Sequence, residues 1–281
     1  MTSNVKPHRE GEGEGLLADT GSGVISGVTV RKPDRRRDGR DREPTCCDVR
    51  MSTSTNRDEP HLERPQLLRR VADLVPTANG EDCVRVGIDG VDGSGKTVFA
   101  GELANALQIM GRRVVRISVD DFHHVSAVRY RRGRSSPEGF WLDSFNYERL
   151  RADVLEPLGP GGSRRVATLS LVGARPGQRS GPQPDAHGRP AGAVLVVDGL
   201  FLHREELAGP WDFSVFLDVP FEVTAKRMAM RDGTTPDPHD ASMRRYVEAQ
   251  QLYFRECAPR QRASIVIDNA VLDAPRMVRD R

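Results

Sequence analysis

Residues 90–97 read Gly-Val-Asp-Gly-Ser-Gly-Lys-Thr, and no other stretch of the chain narrows the choice of fold as much. Both glycines, the lysine and the threonine of the pattern G-x-x-x-x-G-K-[ST] are in place. Glycines let the backbone turn tightly enough for successive N–H groups to point inward, and a helix starting at the loop adds its positive end; such a loop holds polyphosphate. Lys96 is spaced to reach the β- and γ-phosphates, and Thr97 to offer its hydroxyl to Mg²⁺. Gly90, Val91, Asp92, Gly93, Ser94, Gly95, Lys96 and Thr97 are therefore the expected nucleotide-binding residues. The surroundings agree with the motif. Residues 84–88 (Val-Arg-Val-Gly-Ile) predict a short apolar strand, and residues 98–110 a helix with Phe99, Leu103, Ala106, Leu107 and Met110 on one face, stopped by Gly111. Only Lys6, Lys32, Lys96 and Lys226 are lysine among 42 basic residues, so a lysine inside the glycine loop stands out.

A chain of 281 residues accommodates one generous α/β domain with tails. A formal charge of +2 argues against a general polyanion-binding protein, and no specific nucleic-acid binding is expected. Cys46, Cys47, Cys83 and Cys257 have neither metal-ligand spacing nor a disulfide framework and suit a reducing compartment. With no apolar run near ~18 residues and no apolar signal core, a soluble cytoplasmic protein is expected. Residues 1–60 are rich in Gly, Ser, Arg and Asp without periodicity, and predict a disordered tail. The basic cluster of Arg31, Lys32, Arg35, Arg36, Arg37, Arg40 and Arg42 is diluted by Asp34, Asp38 and Asp41 and reads as solvated chain rather than a nucleic-acid arm. Met51 is the expected true start, with the preceding residues a gene-model extension. The folded domain is expected over residues 61–281.

Along that domain the pattern predicts a helix at 62–75, a second strand at 113–119 and an Arg-rich polar stretch at 127–138. A helix follows at 144–158, then a candidate strand at 166–172 and loop at 173–190. A fully buried strand is expected at 193–197 and another at 213–217, then a helix to Arg231 ending at Gly233. Asp240 is expected to cap a helix to Cys257 with Met243, Tyr246, Val247, Tyr253 and Phe254 as its buried stripe, and 265–267 to close the series as a strand. Apolar strands alternating with amphipathic helices imply an α/β fold, a P-loop NTPase-type parallel sheet with helices on both faces. In such sheets ligands sit beyond the carboxyl ends of strands. Asp120, Asp198 and the glycine loop each lie just past one. Asp198, after four apolar residues, is the expected second metal-site carboxylate beside Thr97, the alternative being a strand-end aspartate that starts a turn with Gly199. Asp120 is positioned to accept a proton from an attacking hydroxyl, with Asp121 competing for the role.

Four stretches taken together carry a likeness. Residues 87–97 (Gly-Ile-Asp-Gly-Val-Asp-Gly-Ser-Gly-Lys-Thr), 118–123 (Ser-Val-Asp-Asp-Phe-His), 194–201 (Val-Leu-Val-Val-Asp-Gly-Leu-Phe) and 227–232 (Arg-Met-Ala-Met-Arg-Asp) resemble the uridine kinase and phosphoribulokinase family, in order and over residues 64–269. The resemblance implies ATP- or GTP-dependent phosphorylation of a small-molecule hydroxyl, with Mg²⁺; in uridine kinases this is the 5′-hydroxyl of uridine or cytidine. It implies that Asp120 is the general base, with His123 where the family usually has tyrosine, and that Asp198 replaces a frequent Glu. It further implies that Arg227 and Arg231 belong to a mobile lid near residues 227–240 that closes over the phosphates. Their i,i+4 spacing puts both guanidinium groups on one face, where they could bracket the transferred phosphoryl group or form only an exposed basic face. Lys96, Asp120, Arg227 and Arg231 are thus the expected catalytic set. The segments that read the nucleoside in familiar uridine kinases are different here: Phe140-Trp-Leu-Asp143-Ser-Phe145 leaves Asp143 as the nearby acid, and residues 166–172 lack tyrosine and aspartate. Phe140 or Trp141 could stack on a base or pack in the core. The expected acceptor is a nucleoside; a pantothenate-like or sugar-phosphate acceptor, and a catalytically silent nucleotide-binding regulator, are the alternatives.

Overall fold

The structure is a computed structural model and describes residues 62–163 and 192–280. The tail at 1–60, the Met51 start and the stretches 166–172 and 173–190 lie outside the described residues.

Six strands form one sheet in the order β2-β3-β1-β4-β5-β6. They are β1 (Val84–Gly90), β2 (Val114–Ser118), β3 (Val194–Asp198), β4 (Phe213–Asp218), β5 (Ile265–Asp268) and β6 (Arg276–Asp280). The first five are parallel. β6 runs antiparallel to β5 past a bulge at Val266/Ile267, which corrects the expectation that the series closes at residue 267. β6 reads Arg-Met-Val-Arg-Asp, a short and largely charged strand at the sheet edge whose sequence gives no clean alternation.

β3 is buried along its whole length because both faces of the sheet are covered. Val194 and Val196 face a layer that holds α1 (Arg64–Leu74) and α2 (Lys96–Ile109), packed through Leu67, Val71, Phe99, Leu103 and Leu107. Leu195 and Val197 face the opposite layer, where Phe140, Trp141, Phe201 and Tyr253 cluster. Burying each such aliphatic or aromatic side chain contributes roughly 1.5–3 kcal/mol. The inner face of α2 is Phe99, Ala100, Leu103, Ala104 and Leu107; Met110 lies outside it, since the helix ends at Ile109.

The second layer departs most from expectation. The polar stretch at 127–138 contains α3 (Ser126–Arg129) and the start of α4 (Pro137–Asp143), which opens with Ser136 Oγ accepting the Gly139 N–H at 3.0 Å and Pro137 in the first turn. The helix expected at 144–158 begins later, at α5 (Tyr147–Leu150), because Asn146 caps it through the Arg149 N–H at 2.8 Å; it then widens into a π-helical turn over Arg151–Leu155. α6 (Phe221–Asp232) ends at Gly233 in the left-handed conformation. α7 (Arg244–Cys257) buries Arg245, Ala249, Gln250, Tyr253 and Cys257, while Tyr246 and Phe254 are only partly covered. A short α8 (Pro259–Arg262) leads into β5.

Candidate functional site

Three neighbouring strands deliver the site. The glycine loop leaves β1, Asp198 ends β3, and Asp120 follows β2 in a 3₁₀ turn over Val119–Phe122. Ser118 and Asp198 are register partners, so the two acids project from adjacent strand ends.

The loop is folded to the shape its glycines allow. Gly93 has φ +76°, and a Cβ there would stand 2.8 Å from the Thr224 carbonyl oxygen of α6. The Lys96 ammonium donates to the Val91 carbonyl at 2.8 Å. Burial pushes its pKa below the ordinary lysine value, against the pull of Asp92, Asp89, Asp120 and Asp198. Those four carboxylates therefore share one electrostatic neighbourhood with the lysine. Ser94 Oγ, inside the loop, is buried with no hydrogen-bond partner, a polar atom ready for a polar ligand.

Thr97 and Asp198 meet directly: the Thr97 hydroxyl donates to Asp198 Oδ2 at 2.8 Å, and Arg116 donates to Asp198 Oδ1 at 3.0 Å. Asp198 is 2 % exposed. No group of three or more His, Cys, Asp or Glu is poised to hold a metal ion among the described residues. A hard cation held at Thr97 and Asp198 would draw the rest of its oxygen shell from phosphate and water, the usual arrangement for Mg²⁺. The cradle, the unpartnered hydroxyl and this pair fit a magnesium-bound nucleoside triphosphate.

Asp120 is exposed, with its N–H given to Ser118 Oγ at 3.3 Å. His123 Nδ1 lies 2.8 Å from the Asp120 carbonyl oxygen, which can only accept, so Nδ1 carries the proton. The His123 ring rests on Phe145 at 4.4 Å between centroids.

The two arginines expected in a lid reach the loop by different routes. Arg227 donates to the Asn269 and Ala270 carbonyls at 2.9 Å and, at 3.4 Å, to those of Gly93 and Ser94. Burial, and Arg64 beside it, push its pKa down. Arg231 pairs with Asp232 and touches Asp92 at 3.5 Å; the Asp232 hydrogen bond pushes its pKa up. Asp143 is enclosed by Arg131 and Arg132. Phe140 and Trp141 are core residues, edge-on to Phe201 at 5.8 and 4.8 Å.

Three contributors were not singled out from the sequence. Asn269 donates to the Ser94 carbonyl at 2.8 Å and pins the loop from beyond β5. Arg116 guards Asp198. Asp89, completely buried, accepts the Gly90 N–H at 2.7 Å, His203 Nδ1 at 2.9 Å and the Tyr253 hydroxyl. The available signals were an arginine amid Val-Val-Arg-Ile and an aspartate beside the motif. Neither spacing nor periodicity distinguishes such residues from surface charge.

Among the described residues no helix is long and apolar enough to cross a membrane. No protein-family profile matches the chain. Nicotinamide riboside kinase 1 of Rattus norvegicus is 31% identical over 156 residues, 54% of this chain and 69% of the relative. The Mus musculus enzyme of the same name matches to the same extent. The structure of a possible uridine kinase from Bacillus stearothermophilus superposes with a TM-score of 0.51 at 22% identity, covering 72% of this chain and 96% of that one, a likeness of fold. With strand order, glycine loop and these relatives in agreement, the chain belongs to the uridine kinase and phosphoribulokinase family of P-loop small-molecule kinases.

Proposed function

We propose that the protein transfers the γ-phosphoryl group of ATP to a hydroxyl of a nucleoside, with nicotinamide riboside ahead of uridine or cytidine as acceptor. The observation that carries the reading is that Asp120, Asp198 and the glycine loop lie at three adjacent strand ends, with Asp198 hydrogen-bonded to Thr97 of the loop. The glycine loop and Lys96 hold the phosphate chain. Thr97 and Asp198 would hold the divalent cation, which would neutralise phosphate charge. Asp120 takes the proton of the acceptor hydroxyl as its oxygen bonds to the γ-phosphorus; the bond from that phosphorus to the β,γ-bridging oxygen breaks, and ADP leaves. Residues 227–240 close over the phosphates, with Arg231 released from Asp232 toward the transferred group and Arg227 bracing the loop from behind.

The acceptor choice rests on two supports. Two relatives at 31% identity are named for a riboside substrate. Asp143, in the segment that replaces a nucleoside-reading segment of familiar uridine kinases, is paired with Arg131 and Arg132.

The test is ADP release by the full chain with MgATP and, in turn, nicotinamide riboside, uridine, cytidine and pantothenate, alongside Asp120→Asn. We expect riboside-dependent release, greatest with nicotinamide riboside, and a loss of about 10²-fold or more in Asp120→Asn with ATP affinity kept. Release with pantothenate alone overturns the acceptor class. ATP binding without release for any acceptor overturns the enzyme reading.

A further inference from the structure

We infer that Arg116 is a built-in counter-ion for Asp198, which makes divalent-cation binding depend on the nucleotide being present. This rests on the reading of Thr97 and Asp198 as the cation site.

Arg116 sits on β2 between Val114 and Ser118, on the sheet face that α2 covers, where its neighbours across the pairing are Val194, Val196 and Asp198. A charged residue set beside buried Val194 and Val196 needs a partner within reach. The side chain finds one by running across α2: a Cβ added at Gly101 would lie 3.1 Å from Arg116 Nη1. Glycine inside a helix is unfavourable, and here it leaves room for the guanidinium. From there Nη2 donates both to Asp198 Oδ1 at 3.0 Å and to the Thr97 carbonyl at 3.1 Å. Arg116 Nε is buried with no hydrogen-bond partner, so the group is seated for its far end alone.

The consequence is electrostatic. Asp198 is almost wholly buried, and its two oxygens are already taken by Arg116 and Thr97. A divalent cation arriving alone meets a carboxylate whose charge is neutralised and a guanidinium that repels it. A cation arriving with a polyphosphate brings negative oxygens that outweigh that repulsion and attract Arg116 as well. Arg116 thus acts on the cation through Asp198, as a positioning residue.

The experiment measures Mn²⁺ binding by the electron paramagnetic resonance signal of the free ion, with the full chain, with and without ADP. Wild type is expected to bind Mn²⁺ weakly alone and at least about tenfold more tightly with ADP. Arg116→Met keeps a long stem over Gly101 and removes the charge; without nucleotide it is expected to bind Mn²⁺ about tenfold more tightly than wild type, and adding Asp198→Asn is expected to abolish the gain. Unchanged or weaker binding in Arg116→Met overturns the inference. Should that variant not fold, wild type decides: equal Mn²⁺ affinity with and without ADP also overturns it. If wild type and Asp198→Asn bind Mn²⁺ alike in the presence of ADP, the cation site itself has been misassigned, a failure of the reading beneath.

Discussion

Asp89 stands one residue ahead of the glycine loop, fully buried, with both carboxylate oxygens committed. Oδ1 fixes the Gly90 N–H, the first amide of the loop, while Oδ2 accepts from His203 and Tyr253. The Tyr253 hydroxyl also takes the His203 backbone N–H at 2.9 Å, and His203 Nε2 lies 3.1 Å from Ser214 Oγ. Burial drives the Tyr253 pKa well above its ordinary value, so the phenol stays a donor. Asp89→Asn exchanges an acceptor oxygen for an amide NH₂ in a pocket already supplied with donors, and at least one of them loses its partner. We expect a loss of about 3 kcal/mol, read from urea unfolding, with Gly90 no longer anchored. A loss under about 0.5 kcal/mol would show that the pocket refills the bond, with water or by a shift of His203. None of this follows from the motif, which names the loop and not its support. His203 sits in a run of Leu-Phe-Leu-His, where spacing alone cannot say that a polar ring is turned inward.

At the level of elements, the two acids can share a site only because β2 and β3 come close at their carboxyl ends. Gly199, directly after Asp198, is where that approach is tightest: a Cβ there would overlap Val119, at 2.2 Å from Cγ2 and 2.4 Å from Cβ. Backbone on one strand end and a buried side chain on the other leave nowhere for the methyl to go. Gly199→Ala is expected to cost about 1–3 kcal/mol in thermal or urea unfolding and to lower phosphoryl transfer, since Val119 adjoins Asp120. A variant with wild-type stability and rate would mean that the strand ends slide freely. The strands themselves were legible, because a run such as Val-Leu-Val-Val has one explanation, burial on both faces. α4 was not, although Ser136 and Pro137 form an ordinary helix start; the surrounding arginines masked it. They are held in place by Arg245 of α7, whose guanidinium donates to the carbonyls of Ser136, Arg134, Gly133 and Arg129 and lies over the Tyr130 and Phe140 rings. A buried arginine on a predicted polar face breaks the rule that charge marks solvent, and only tertiary contacts reveal it.

At the scale of the described domain, α1 and α2 cover one face of the sheet, with the glycine loop at the start of α2, and α4 and α7 pack on the other. That second layer carries ionic fastenings as well as aromatic packing, and its acid response follows from one of them. Asp143 is 1 % exposed at its side chain and paired with Arg131 and Arg132. The Arg131 hydrogen bond, helped by Arg132 and opposed by burial, holds the carboxyl below the usual aspartate range. A carboxylate whose pKa is lower folded than unfolded stabilises the fold above the unfolded value of about 3.9, and that stabilisation drains away as the pH falls through it toward the folded value. Both arginines are more than a third exposed, so water and salt screen the pair, and about 1 kcal/mol is the expected contribution. Wild type and Asp143→Asn compared by urea unfolding from pH 7 to pH 3 should differ by about that amount near neutrality. The gap should close below about pH 4 and narrow at high salt. A difference independent of pH would trace the loss to the shape of the amide rather than the charge of the acid, and would leave Arg245 and the Phe140 and Trp141 packing as what holds this layer to the sheet.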